Sequence, residues 1–240
     1  MKKYILSFCL AAISQQIFSQ ESGHQLMYDA YVSQNKDLWV KSVLLFQNEV
    51  KLSPTSTEKQ LKLAVAHYGL LLGTMASQDE DLFDDYVSKA KDHLEKVIAS
   101  PVTAADGKGL LSAVMGLQMA YSPMKGMFLG GKSSSLAESS KSLAPGSPLA
   151  WRFYGINKFY TPSNFGGDVK EAITALEKSV TLFEATPVAS NWMYLDTLAM
   201  LGQAYLKNEE KSKAIAQFEK AIGLEPDFTY AKLWLAKAKK

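Results

Sequence analysis

The chain has 240 residues, enough for one extended array or two small globular domains. Its 47% hydrophobic and 21% charged content is ordinary for a folded soluble protein, and it has no run of 18 apolar residues to span a bilayer. The net charge is only +2 and Arg152 is the single arginine among 26 basic residues. Neither long-range attraction nor guanidinium forks therefore point to nucleic acid.

Residues 1–20 read as a secretory leader. Lys2 and Lys3 form a basic start, residues 4–13 an apolar stretch, and residues 14–20 a polar, small-residue tail with cleavage near Ser19 or Gln20. Removing Lys2 and Lys3 leaves residues 21–240 with no net charge. Cys9, the only cysteine, lies inside the leader, so the mature chain has no disulfide, thiol nucleophile or zinc thiolate. Its position, with more apolar residues after it, does not suit a lipid anchor. The expectation is a periplasmic or secreted bacterial protein without membrane insertion after cleavage.

From there on, apolar residues recur with the helical period and strand signals are few. The first predicted helix pair is 22–33 with 37–52, with a core of Tyr28, Tyr31, Trp39 and Leu44 and a stop at Pro54. The second is 58–74 with 81–99, where Ala90, Leu94 and Val97 fall at steps of four and three; Pro101 closes it. The third is 109–121 with a short, serine-rich 133–143, closed by Pro145 and Pro148. The fourth is 148–160 with 168–183, where Ala172, Leu176 and Ser179 repeat the four-three steps. Loops 122–131 and 161–167 look like copies: each starts with Ser-Pro or Thr-Pro and includes a Gly-Gly pair.

The last fifty residues are the most specific. Leu198, Leu201, Gly202, Tyr205, Ala214, Phe218, Ala221 and Pro226 stand at the spacing of a helix-turn-helix repeat of about 34 residues. Residues 195–228 thus resemble a tetratricopeptide repeat, with Leu198 where that family often has Trp. Gly202 and Ala214 let the two helices approach, Tyr205 and Phe218 fill the space between them, and Pro226 ends the second. Residues 229–240 form a predicted cap, with Tyr230, Leu233, Trp234 and Ala238 covering the last apolar surface. Gly69, Gly116 and Gly155 would be the packing glycines of the earlier, degenerate units.

The resemblance implies an all-α solenoid of about five helical hairpins plus a cap. Such a unit cannot bury its apolar face alone and stacks on its neighbours. It also implies a scaffold, not an enzyme, that holds a protein or peptide on a concave groove lined by the first helix of each pair. Carried over, the groove positions are Asp196, Ala199, Gln203 and Leu206; Arg152, Ile156 and Phe159; and Ala113, Leu117 and Ala120. Tyr121 and Tyr160 end two of these helices. Arg152 is expected to pair an acidic group of the partner, with Phe159, Tyr160 and Tyr121 as aromatic anchors. Loops 122–131 and 161–167 could instead cover the groove. The Lys and Asn of the family's carboxylate clamp are replaced by Asp196 and Gln203.

One rival reading is enzymatic. Residues 126–133 fit G-x-x-x-x-G-K-[ST], a loop that cradles phosphates, with Lys132 on the terminal phosphates and Ser133 on magnesium. Such a loop needs a buried strand before it, whereas a helical pattern precedes this one. A third reading is a structural oligomer. His24, His67 and His93 match no metal-ligand spacing and are expected at the surface or groove edge. The acidic run from Asp79 to Asp85 reads as a solvated helix start. Met115, Met119, Met124 and Met127 read first as core filling and second as an adaptable binding surface. No cofactor, metal or catalytic residue is expected.

Overall fold

A computed structural model describes residues 23–240; the leader reading of 1–20 lies outside them. A helix over residues 23–32 (α1) is followed by α2 (Lys36–Leu52), α3 (Thr57–Ser77), α4 (Glu80–Ala99), α5 (Ala104–Tyr121) and α6 (Gly126–Leu143). Then come α7 (Pro148–Tyr160), α8 (Val169–Glu184), α9 (Trp192–Lys207), α10 (Lys211–Leu224) and α11 (Thr229–Ala238). The described residues contain no strand, and no helix among them is long and apolar enough to cross a membrane. Odd and even helices pair as five hairpins, and α11 packs on both helices of the last. Neighbouring hairpins stack through the even helix of one on the odd helix of the next, α4 on α5, α6 on α7 and α8 on α9, with α3 on α5 and α5 on α7 adding to the contact.

Turn chemistry sets most of these boundaries. The turns inside four hairpins each contain one left-handed residue: Gln34, Gln78, Gly166 and Glu209. Three of these turns end on a side-chain cap. Asn35 accepts from the N–H groups of Asp37 and Leu38, Asp79 from that of Leu82, and Asp168 from those of Lys170 and Glu171. Each cap satisfies amide donors that the helix leaves free. The third hairpin differs. Its turn is a 3-10 segment, Pro123–Lys125, that runs straight into α6 without a left-handed residue or a capping side chain. Its counterpart in the fourth hairpin, Ser163–Phe165, is followed by Gly166 and the Asp168 cap, so the two loops share only their first half.

Every even helix inserts the same pattern, one buried residue followed by others four and seven positions on. These are Trp39, Val43 and Phe46; Ala90, Leu94 and Val97; Ser133, Ala137 and Ser140; Ala172, Leu176 and Ser179; and Ala214, Phe218 and Ala221. Small residues on α6 allow close approach to α5, where Ser112 and Ser133 each donate to the other's carbonyl oxygen, at 2.8 and 3.0 Å. Leu44 and Leu233, expected in the core, are instead half exposed; Val43, Phe46 and Ala231 fill those places.

Three of the four expected packing glycines hold their place. An added Cβ would strike the Trp39 ring at Gly69, Leu176 at 2.8 Å at Gly155, and Phe218 at 2.5 Å at Gly202. The fourth does not: a Cβ at Gly116 would meet nothing within 4 Å, whereas at Gly109 it would meet Phe153 at 2.8 Å. The tight crossing of the third unit is therefore at Gly109.

The superhelix closes on itself. Residues Trp192 to Tyr205 of α9 are buried on every side, which a single neighbour on each flank cannot achieve. The extra cover comes from the other end of the chain. Trp192 touches Tyr31 of α1, Trp39 of α2 and Tyr68 of α3, at ring separations of 5.3, 5.0 and 6.1 Å. Tyr31 also packs on Phe228, and Tyr28 donates to Glu225 at 3.0 Å. The first hairpin thus sits where an open solenoid would leave its inner curve free.

Candidate partner-binding site

The eight residues expected to line a groove divide into two sets. Arg152, Asp196, Gln203 and Phe159 lie inside the molecule. The Arg152 guanidinium is fully buried, pairs with the Asp196 carboxylate and donates to the Tyr68 hydroxyl at 3.3 Å. It lies against the Phe153 ring as well. Tyr31 donates to the other Asp196 oxygen at 2.6 Å. Gln203 donates to the Tyr230 hydroxyl at 3.1 Å, and the Phe159 carbonyl accepts from Lys207 Nζ at 3.0 Å. The expectation that Arg152 meets a partner's acid is therefore corrected: its acid is Asp196 of this chain. Four helices, α1, α3, α7 and α9, converge there, and only their three-dimensional closure brings Tyr31 and Tyr68 to the pair.

The electrostatics fit an internal lock. Burial works against the Arg152 charge but is outweighed by Tyr68 and Asp196, so its pKa is raised. Burial, then the Asp196 charge, raises the Tyr31 phenol well above its usual value; Tyr68 is raised chiefly by burial. All three groups keep their hydrogen-bonding form across the physiological range.

Leu117, Tyr121, Ile156 and Tyr160 remain at least partly accessible. They lie toward the C-terminal ends of α5 and α7; Phe153 of α7 packs closely on Gly109 of α5, whereas further along α5 a Cβ at Gly116 would meet open space. Along this end of α5 run the small residues Ala113 and Gly116, both half-buried, and Ala120, exposed, while Leu117 and, on α7, Ile156 are half-buried. Tyr160 is 63% exposed, yet its hydroxyl turns inward to Met200 Sδ at 3.8 Å, and burial there raises its pKa. Tyr121 is tied back to the second hairpin, its ring 4.5 Å from Phe83 and its hydroxyl 3.1 Å from Thr74 Oγ1. Met124 and Phe165 on the adjoining turns and Phe128 in the first turn of α6 are largely exposed, so these side chains are not packed against the rest of the molecule.

The phosphate-loop reading of 126–133 is not met. All eight residues are helical, their backbone amides are in the α6 ladder or its first turn, and Ser133 is buried against Ser112 and Asn157. The histidines also differ from expectation. His24 is exposed, but His67 and His93 are buried with ring centroids 5.8 Å apart. His93 Nε2 bonds the Gln60 carbonyl at 2.8 Å, while neither ring nitrogen of His67 has a partner. Burial first, then His93 and Lys89, pushes the His67 pKa down to about 3, so it is held neutral. Among the described residues no three His, Cys, Asp or Glu side chains are grouped as a metal site requires. Of the four clustered methionines, Met115 is core, Met119 is half-buried, and Met124 and Met127 face solvent.

These features define a closed helical-repeat solenoid with accessible small and apolar residues toward the ends of α5 and α7. Residues 195–228 match the tetratricopeptide-repeat family model. The fold is similar to that of a thermophilic tetratricopeptide-repeat protein from Thermus thermophilus, at a TM-score of 0.59 and 18% identity, over 91% of this chain and 97% of that one. It is also similar to the HusA haemophore of Porphyromonas gingivalis, at a TM-score of 0.60 and 18% identity, over 77% of this chain and 92% of that one. No curated protein matches the sequence. Residues 195–228 thus form a tetratricopeptide repeat, and the described residues share the fold of a solved tetratricopeptide-repeat protein.

Proposed function

We propose that the protein is an exported, non-enzymatic scaffold of the bacterial cell envelope, periplasmic or secreted, that receives the apolar side chains of a peptide or protein partner in the cleft between α5 and α7. One observation carries this reading: the chain's own residues fill the expected groove at Arg152, Phe159, Asp196 and Gln203, but the space over Gly116 of α5 is open. Leu117 and Ile156 supply the apolar walls and Tyr160 an exposed ring, the kind of anchor that dominates binding energy. The leader pattern in residues 1–20 supports export. The test is a photo-crosslinking residue at Ile156 in the exporting cell, with one at the distant Leu52 as control. Adducts specific to Ile156 and reduced by Tyr160→Ala support the reading; equal adducts at both positions, or a mature protein that keeps residues 1–20 in the cytoplasm, overturn it.

A second reading is that the cleft takes a flat apolar ring such as haem. It is favoured by the open space over Gly116 and by the shared fold with a haemophore. Titration with haemin decides between the two. A saturable, shifted Soret band weakened by Gly116→Leu favours the ring, and an unshifted band leaves the peptide.

A further inference from the structure

We propose that the tip formed by residues 123–132 docks on an anionic lipid surface. Met124, Met127 and Phe128 stand 80, 84 and 81% exposed within five consecutive residues where the third turn enters α6. Large apolar side chains gathered this way on a surface mark a contact site. Their exposure also says what kind. Side chains this bare have no surrounding walls, so a rigid ligand would cover only one side of each, whereas fluid acyl chains close around them.

The charge around the tip points the same way. Between Asp106 and Asp168 the only acid is Glu138, against Lys108, Lys125, Lys132, Lys141, Arg152 and Lys158. Lys141 pairs with Glu138, Arg152 with Asp196 and Lys158 with Glu171, while Lys108 donates to Ser139. Lys125 and Lys132 have no ion-pair partner among the described residues, and they bracket the apolar tip. Apolar residues that enter the acyl boundary, with lysines that stay at the headgroups, are the arrangement by which peripheral proteins hold anionic membranes. A net charge of zero for residues 21–240 hides this local excess. On the turn of the next hairpin Phe165 is also largely exposed, and Asn157 near the end of α7 bonds Ser133 on α6. The proposal does not depend on what the cleft holds.

The experiment is co-sedimentation of the full mature chain with vesicles of phosphatidylcholine alone and with one third phosphatidylglycerol. Binding is expected to the anionic vesicles only and to weaken with salt. Phe128→Ser should lower the partition constant about tenfold or more. Lys125→Glu with Lys132→Glu should lower it by at least about tenfold. In Phe128→Trp the added emission should shift to the blue on anionic vesicles. These side chains face solvent, so all variants should keep the parent melting temperature, which separates lost docking from lost fold. The proposal is overturned by absence of binding to anionic vesicles, or by binding that survives Phe128→Ser. It is equally overturned if the substitutions abolish self-association of a chain that ignores vesicles, which would make the tip a contact between copies.

Discussion

Replacing Asp196 by Ala should be among the most destabilising single changes in the protein. It leaves the Arg152 guanidinium fully buried, with one remaining hydrogen bond, to the Tyr68 hydroxyl at 3.3 Å. Arg152 Nε and Nη1 already make none, so no rearrangement within the cluster replaces the lost carboxylate. Stripping one partner from a buried ion pair costs about 3–5 kcal/mol because the other charge stays desolvated. Tyr31 loses its acceptor at the same time. For a chain of this size each kcal/mol moves the melting temperature by about 2–4 °C, so a fall of roughly 6–20 °C is expected. Calorimetry measures it, and amide exchange locates it: protection should fall first in α1, whose Tyr31 is held by Asp196. The companion variant, Arg152→Met with Asp196→Leu, removes both charges and fills the space with apolar atoms. It should lie within about 1–2 kcal/mol of the parent or above it. A loss under about 1 kcal/mol for Asp196→Ala, or a double variant as unstable as the single, would refute the view that this pair locks the superhelix.

Two glycines make opposite predictions. Gly202→Ala gains about 1 kcal/mol of helix propensity but drives a methyl into the Phe218 ring, so a net loss of about 1–2 kcal/mol is expected in urea melts. Gly116→Ala meets nothing within 4 Å and should stabilise by about 0.5–1 kcal/mol in the same assay. His67 makes stability depend on pH. With a folded pKa of about 3 against 6.5 unfolded, the unfolded chain binds a proton that the folded one refuses, so stability falls as pH drops below 6.5. At pH 4.5 the loss is about 2–3 kcal/mol, and urea midpoints of His67→Leu should lose most of that pH dependence. Asp168→Ala removes the acceptor for two amides at the start of α8 and should cost about 1 kcal/mol, or about 2–4 °C by calorimetry.

The repeat architecture is legible in the sequence because it is local. The four-three steps of the even helices, the prolines after them and the glycine facing Phe218 all follow from contacts within one hairpin. Closure of the superhelix is not legible. Tyr31 and Asp196 are 165 residues apart, and no spacing rule links them. That is why Arg152, placed on a groove by its register within one repeat, sits in the interior. Gly116 misleads for a related reason: it has the expected spacing, but the space over it is open and Gly109 makes the close contact. The serines of α6 look like poor helix material, though their small size is what lets α5 approach. Turn composition does point to 122–131 and 161–167 as related segments, and their exposed apolar residues are readable in principle as too many large side chains for a loop.

Where the chain follows the repeat pattern most closely it has least surface to offer. The hairpin of α9 and α10 matches the family model, and its first helix is buried from Trp192 to Tyr205. Where the chain departs from the pattern, surface opens. The third hairpin has no left-handed turn residue, and three solvent-facing apolar side chains, Met124, Met127 and Phe128, stand where its turn enters α6. The fourth replaces a tight turn with residues 161–168 and leaves Tyr160 and Phe165 exposed. Local rules are broken at a cost in stability, and the breaks fall in the turns of the third and fourth hairpins. Stacking alone requires neither the exposed tip nor the widened turn, which is why the proposed contacts are placed there.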